Sequence, residues 1–180
     1  MAFNINEFRA NMIGDGARPN LFSVTLAFPT IATNGTAASQ QVTFMAKSAQ
    51  LPGSTVGTVP LYYFGREVKF VGNRTFPDWT IQIINDENFT VRNSMETWMN
   101  AINSHSLNTR STGALSPSSY SVDATVSQYG KDGSVIKTYT FVGMFPLDVA
   151  PIELDWGSND TIEEYAITFA YQYWSSNTTT

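Results

Sequence analysis

The segment Asn73-Arg74-Thr75-Phe76-Pro77-Asp78-Trp79-Thr80-Ile81-Gln82-Ile83-Ile84-Asn85-Asp86-Glu87-Asn88-Phe89 carries a turn, a strand and a helix start in succession, and it constrains the fold more than any other stretch. Pro77 presets a turn backbone. Trp79, Ile81 and Ile83 alternate onto one face, the period of a strand with one side in a core, and Asp86 or Asn88 is placed to cap a following helix. Val91, Met95, Trp98, Met99 and Ile102 then fall on one helical stripe, which predicts a helix over about residues 88–103 with its apolar side in the core.

The rest of the chain reads mainly as strand. Phe22 to Phe28 alternate apolar with small polar residues until Pro29, and a polar loop over 33–39 leads to a second strand around Gln41 to Ser48, an expected antiparallel hairpin. Val122, Ala124 and Val126 alternate up to a tight turn at Asp132-Gly133, and Val135, Lys137, Tyr139 and Phe141 alternate away from it. Gly143-Met144-Phe145-Pro146 bends the chain out of that hairpin, and Pro151 to Asp160 forms a second irregular crossing. A final strand from Thr161 to Trp174, with Tyr165, Ile167, Phe169, Tyr171 and Tyr173 on one face, would span on the order of 45 Å at about 3.3 Å per residue. Such a strand needs neighbours along its whole course, some of them expected from another copy of the chain. The expected core is Trp79, Ile81, Ile83, Val91, Met95, Trp98, Met99, Tyr165, Ile167 and Phe169. The expected division is an N-terminal arm over 1–18, one domain over 19–174 and a polar tail over 175–180.

Residues 49–66 break the pattern. Pro52, Gly53, Gly57, Pro60 and Gly65 argue for irregular structure, while Leu51, Val56, Val59, Leu61, Tyr62, Tyr63 and Phe64 are strongly apolar. A long apolar loop seldom faces water alone, so it either folds over its own core or docks on a partner.

Composition narrows the chemistry. The 180 residues suffice for one core without disulfides, and cysteine is absent. The net charge is −5, with the basic residues scattered from Arg9 to Lys137, which disfavours tight nucleic-acid binding. Charged residues are only 14% while Ser, Thr, Asn and Gln abound, a weak pointer to a surface covered by neighbours. The start lacks the basic and apolar regions of a signal peptide and no stretch approaches a membrane span, so cytoplasmic synthesis is expected. The Asn-x-Thr triplets then read as turn chemistry. His105 is the sole histidine, in a polar loop, and reads as a surface residue rather than a triad member. Glu163 and Glu164 are adjacent on a strand and face opposite ways, unlike a hydrolytic pair. Asp155, Asp160 and Glu163 match no calcium loop, and Gly14-Asp15-Gly16-Ala17-Arg18-Pro19 lacks the third glycine of a dinucleotide loop. No catalytic residue, metal or cofactor is expected.

Several segments in order resemble the tail tube proteins of contractile-tailed, T4-like bacteriophages of the myovirus type. They are Ala17-Arg18-Pro19-Asn20-Leu21-Phe22, Ala49-Gln50-Leu51-Pro52-Gly53, the turn from Asn73 to Thr80 with Asn85-Asp86-Glu87, Gly143-Met144-Phe145-Pro146-Leu147-Asp148-Val149, Leu154 to Ile162, and Tyr171-Gln172-Tyr173-Trp174. The polar residues over 33–39, the loop from Ser104 to Ser119 and the Thr-rich tail depart from that pattern. The resemblance implies a mainly β protein, an antiparallel β-sandwich or split β-barrel with one flanking α-helix. It also implies homohexameric rings, stacked into a tube inside a contractile sheath, that conduct the genome into the host. Sheath, baseplate, tail terminator and tape measure proteins are then the expected partners, with double-stranded DNA passing without tight binding and no membrane insertion. The place of action is the virion tail, after assembly in the host bacterial cytoplasm. On this reading the apolar loop, through Leu51, Val56, Val59, Leu61, Tyr62, Tyr63 and Phe64, stacks one ring on the next. Two alternatives stand beside it: the tube of another contractile injection system (type VI secretion or bacteriocin-like), and a carbohydrate-binding β-sandwich presenting Tyr62, Tyr63 and Tyr171.

Overall fold

The computed structural model describes residues 4–179; residues 1–3 of the expected arm and Thr180 of the expected tail lie outside the described residues. In the arm, the Asn4 side chain accepts from the Asn6 amide and caps a short helix, α1 (Ile5–Asn11). Asp15 ties the segment to the body through Lys131 Nζ at 3.1 Å.

The first strand, β1 (Phe22–Leu26), buries Val24 and Leu26. The polar loop and second strand expected next are instead a helix, α2 (Gly35–Met45), followed by only a short strand, β2 (Ala46–Ala49). The β-prone run Val42-Thr43-Phe44 masks a helical spacing, since Ala38, Val42 and Met45 turn to the core while Phe44 points to solvent. The expected hairpin therefore does not form: β1 pairs elsewhere, and the Ser39 hydroxyl on α2 donates to the Leu26 carbonyl at 2.6 Å.

The expected irregular segment is irregular only over residues 50–54. From Thr55 on it forms β3 (Thr55–Tyr63), which pairs with β4 (Arg66–Thr75) as a two-stranded ribbon. Phe64 and Gly65 both have positive φ, 47° and 77°, the backbone of a tight two-residue hairpin turn. Pro60 is tolerated because both strands of such a ribbon are edges. Gly57 and Gly72 lie at a bulge where the strands approach closely, and a Cβ on Gly72 would sit 2.9 Å from the Gly57 carbonyl carbon.

The alternating run forms β5 (Trp79–Ile84), with Trp79, Ile81 and Ile83 buried. The expected helix is α3 (Thr90–Ile102), which buries Val91, Ser94, Met95 and Trp98 and leaves Met99 half-buried. Asp86 holds its start, accepting from the Thr90 amide and hydroxyl at 3.0 Å each. Burial raises the Asp86 pKa, but hydrogen bonds from Gln41 and Thr90 outweigh it and hold the carboxyl below its ordinary 3.8. After a loop with one short helix, α4 (Pro117–Tyr120), the hairpin of β6 (Val122–Tyr129) and β7 (Val135–Val149) turns through Gly133 at φ 81°.

The longest strand is β7, with 15 residues, and not the last one. Gly143, at φ 65°, bends β7 in the middle rather than ending it. Its first half pairs with β6 and its second half with β8 (Glu164–Ala170). The expected strand over 161–174 is broken after Ala170 because Gln172 donates to the Val142 carbonyl at 3.0 Å, so that β9 (Tyr173–Ser176) joins the first half of β7 instead. Every pairing is antiparallel, and the path β1-β6-β7-β8-β5-β2 forms one open sheet folded at β7 into two halves. Between them lies the core, where Trp79 meets Phe141 at 4.5 Å and Phe169 at 5.8 Å between ring centres. The expected flanking helix α3 lies against it with α2 alongside, and Tyr165 and Ile167 are buried with Phe169.

Two buried polar groups should respond oppositely to loss. The Trp98 indole N–H donates to the Tyr120 carbonyl at 2.8 Å, so Trp98→Phe orphans that oxygen and costs about 1–3 kcal/mol. The Tyr165 hydroxyl is buried without a hydrogen bond among the described residues, so Tyr165→Phe stabilises by about 1 kcal/mol. Urea unfolding midpoints of both variants check the pair of signs. Asp86→Ala should cost about 1 kcal/mol near neutral pH. Because the native carboxyl is held below 3.8, its contribution is present above that pH and lost below it, so the two unfolding curves converge in acid.

Candidate assembly surface

The ribbon β3–β4 leaves the body on a well-defined root. The Trp79 indole N–H donates to the Gln50 carbonyl at 2.7 Å, the Trp174 indole N–H to the Gly53 carbonyl at 3.0 Å, and Arg74 Nη1 to Ser54 Oγ at 2.9 Å. Phe76 fills the corner against Tyr171 and Trp174. Beyond this root every residue of β3 is exposed, and every residue of β4 except Gly72.

Register decides what the exposed ribbon presents, since directly opposite residues share a face. Val59 faces Phe70, Leu61 faces Val68 and Tyr63 faces Arg66, which makes one face almost wholly apolar. Pro60 faces Lys69 and Tyr62 faces Glu67 on the other. At the tip Phe64 is 92% exposed and stands edge-on to Tyr63. Of the residues singled out in the sequence, Val59, Leu61 and Tyr63 share the apolar face. Tyr62 is on the opposite one, Val56 lies opposite Arg74 near the bulge, and Leu51 is at the root. Sequence reasoning missed Val68 and Phe70, although the alternation Glu67-Val68-Lys69-Phe70 is a strand signal.

A two-stranded ribbon is marginally stable in water, and this one adds an apolar face and two unpaired edges. It has the physical character of an element completed by another chain. The side chains considered for chemistry do other work. Glu164 pairs with Lys47 at 2.6 Å, Glu163 accepts from Asn85 Nδ2 at 2.9 Å, and Asp155 accepts from the Gly157 amide at 3.0 Å in a turn. The His105 amide donates to Asn100 Oδ1 in an exposed loop. Among the described residues no three His, Asp or Glu side chains converge as a metal set, and no helix is long and apolar enough to cross a membrane. As a sugar platform the aromatics fail: Tyr62 and Tyr63 face opposite ways, and Tyr171 lies edge-on to Phe141 at 4.9 Å, where burial pushes its hydroxyl pKa up.

The sequence matches the model of the family described as phage tail tube protein over residues 17–177. It is 34% identical over 167 residues to the tail tube protein of Enterobacteria phage T4, covering 92% of this chain and 95% of that one. With the tail tube protein of Serratia phage KSP90 the identity is 30%, over 93% of both chains. Among solved structures, a chain of the anti-feeding prophage cap aligns with TM-score 0.65 at 20% identity, over 90% of this chain and 91% of that one. A chain of the extended sheath-tube complex of an extracellular contractile injection system aligns with TM-score 0.61 at 16% identity, over 94% and 96%. At these identities the structural likeness is one of fold.

In an isolated subunit, amides of β3 and β4 should exchange with deuterium at least about a hundredfold faster than those of β5 and β8, because the ribbon is exposed along its length and bonded to the body at its root. Hydrogen exchange with mass spectrometry reads this directly.

Proposed function

The chain belongs to the phage tail tube protein family, and from that premise we propose that it is the structural subunit of a contractile phage tail, closing as six copies into rings that stack into the tube inside the sheath. The observation that carries the stacking role is the exposed ribbon with its apolar face of Val59, Leu61, Val68 and Phe70, held on a fixed root. Burying that face against a different surface of the next copy makes a heterologous contact, and heterologous contacts that do not close propagate without limit. Tyr63 and Phe64 extend that face to the tip, while Leu51 at the root, Val56 near the bulge and Tyr62 on the opposite face are further candidates for the stacking contact. The arm over 1–18 is a second segment for neighbours to cover, and residues 19–174 form the tube domain.

The chain's chemistry suits a conduit. A net charge of −5 and a scattered set of cations leave little to grip phosphates, so double-stranded DNA slides past instead of binding. Only carboxylates within roughly 10 Å of the polymer act on it at physiological salt. Sheath, baseplate, terminator and tape measure proteins are the other partners, and no reaction is catalysed. The subunit acts in the virion tail after assembly in the host cytoplasm. Its sequence relatives are phage proteins, which favours a DNA-conducting tube over a protein-secreting one.

Leu61→Ser with Phe64→Ser tests the reading. Both side chains are exposed, so the unfolding free energy of the subunit should change by less than about 0.5 kcal/mol. Electron microscopy should show rings or single subunits but no long tubes. Tubes of normal length from this variant would remove the ribbon from the stacking contact.

A further inference from the structure

Building on the proposed stacking role of the ribbon, we propose that its docking site on the next copy is the loop between β7 and β8, residues 150–163. The topology places the two at opposite ends of the same strands. The ribbon enters β5 at Trp79, whereas Ile84 at the far end pairs with Glu164, the first residue of β8. There the Asn85 amide donates to the Glu163 carbonyl at 2.8 Å and the Ala150 amide to the Ala166 carbonyl at 2.9 Å, which fixes the two ends of the loop. The strand between them is about 20 Å long at about 3.4 Å per residue. An element at one end and its receptor at the other are what head-to-tail stacking requires.

The loop has the complementary character. Trp156 is 99% exposed, Leu154 81% and Ile162 71%, far more than three large apolar side chains need be in a finished surface. They border an open cavity of about 650 Å³ that Glu153, Asp155 and Glu163 also line. Lys137 is the last cation in the sequence, and six carboxylates follow it, at Asp148, Glu153, Asp155, Asp160, Glu163 and Glu164. Of these Glu164 is neutralised by Lys47, whereas Glu153, Asp155 and Asp160 form no ion pair among the described residues. The ribbon carries the opposite sign: Arg66, Lys69 and Arg74 against Glu67, with Arg66 and Lys69 likewise outside any ion pair among the described residues. The apolar face meets Leu154, Trp156 and Ile162, with Arg66 at the end of that same face set against Glu153 and Asp160; Lys69, on the opposite face, adds to the positive field of a ribbon one sheet thick, within the roughly 10 Å over which charges act. Such pairing selects the correct end of the partner and the correct register.

Charge exchange in the full-length protein tests the site. Tube growth is followed by light scattering and electron microscopy, with the fold of each variant checked by urea unfolding. Arg66→Glu with Lys69→Glu should raise the concentration needed for tube growth by at least about tenfold, and so should Glu153→Lys with Asp160→Lys. All four substitutions in one chain should bring it back to within about threefold of the original. Trp156→Ser should suppress growth without changing subunit stability. If Leu61→Ser with Phe64→Ser blocks growth but the loop variants assemble normally, or the fourfold exchange fails to restore assembly, the ribbon stacks elsewhere and the loop faces another partner such as the sheath. If the Leu61 and Phe64 variant also forms normal tubes, the stacking reading itself falls.

Discussion

Trp79 joins the two things this subunit has to do. Its ring lies between Phe141 of β7 and Phe169 of β8, so it is the point where three strands share one core contact. Its indole N–H leaves that core to hold the Gln50 carbonyl, where the chain departs for the ribbon. A buried indole needs such an acceptor, and here satisfying it also fixes an exposed element. The aim of the ribbon is thus set by the best-packed part of the molecule rather than by the ribbon's own weak pairing. The Trp174 bond to Gly53 repeats the device from β9, which is itself held by the bend in β7 at Gly143.

What was legible in the sequence is what local periodicity alone decides. β5, α3 and the β6–β7 turn each carry their own pattern, and the capping role of Asp86 follows from its position before a clean helical stripe. The elements that were misread depend on contacts remote in sequence. The α2 segment has the side chains of a strand and becomes helical because Ala38 and Val42 find room against β1 and α3. The ribbon looks irregular because Gly57, Pro60 and Gly65 are counted as breakers, yet each is suited to a bulge, an edge and a turn with positive φ. The last strand looks continuous because nothing in Tyr171-Gln172-Tyr173 announces that Gln172 will bond to Val142 on another strand. Of the assembly surface, the apolar residues were visible but their sorting into two faces was not, because the turn at Phe64-Gly65 sets the register.

An apolar ribbon on a free subunit invites indiscriminate pairing, and the sequence limits it. Pro60, Arg66, Lys69 and the bulge at Gly57 all disturb the flat, uncharged edge that amyloid-like addition needs. On the proposed docking the cations serve twice, repelling a like-charged ribbon from another copy while attracting the acidic loop over 150–163. Low overall charge would otherwise be a solubility hazard, but the carboxylates after Lys137 concentrate negative sign in the segment that holds the proposed docking loop.

The ribbon's independence of the body also shapes the energetics of assembly. Ordering it costs conformational entropy that a lone subunit never fully recovers, since two edge strands in water are marginal. The first contact between rings therefore yields less than its buried area implies. In the proposed ring the subunits are already mutually oriented, so each further ribbon would dock at a high effective concentration. Contacts that are individually weak and collectively simultaneous discriminate sharply between a correctly aligned ring and a stray subunit. A single strong contact could not, because it would hold misaligned copies as firmly as aligned ones. The exposed, weakly self-supporting ribbon is on this argument the element that permits error correction during growth, while the Trp79 core supplies the stiffness the finished tube requires.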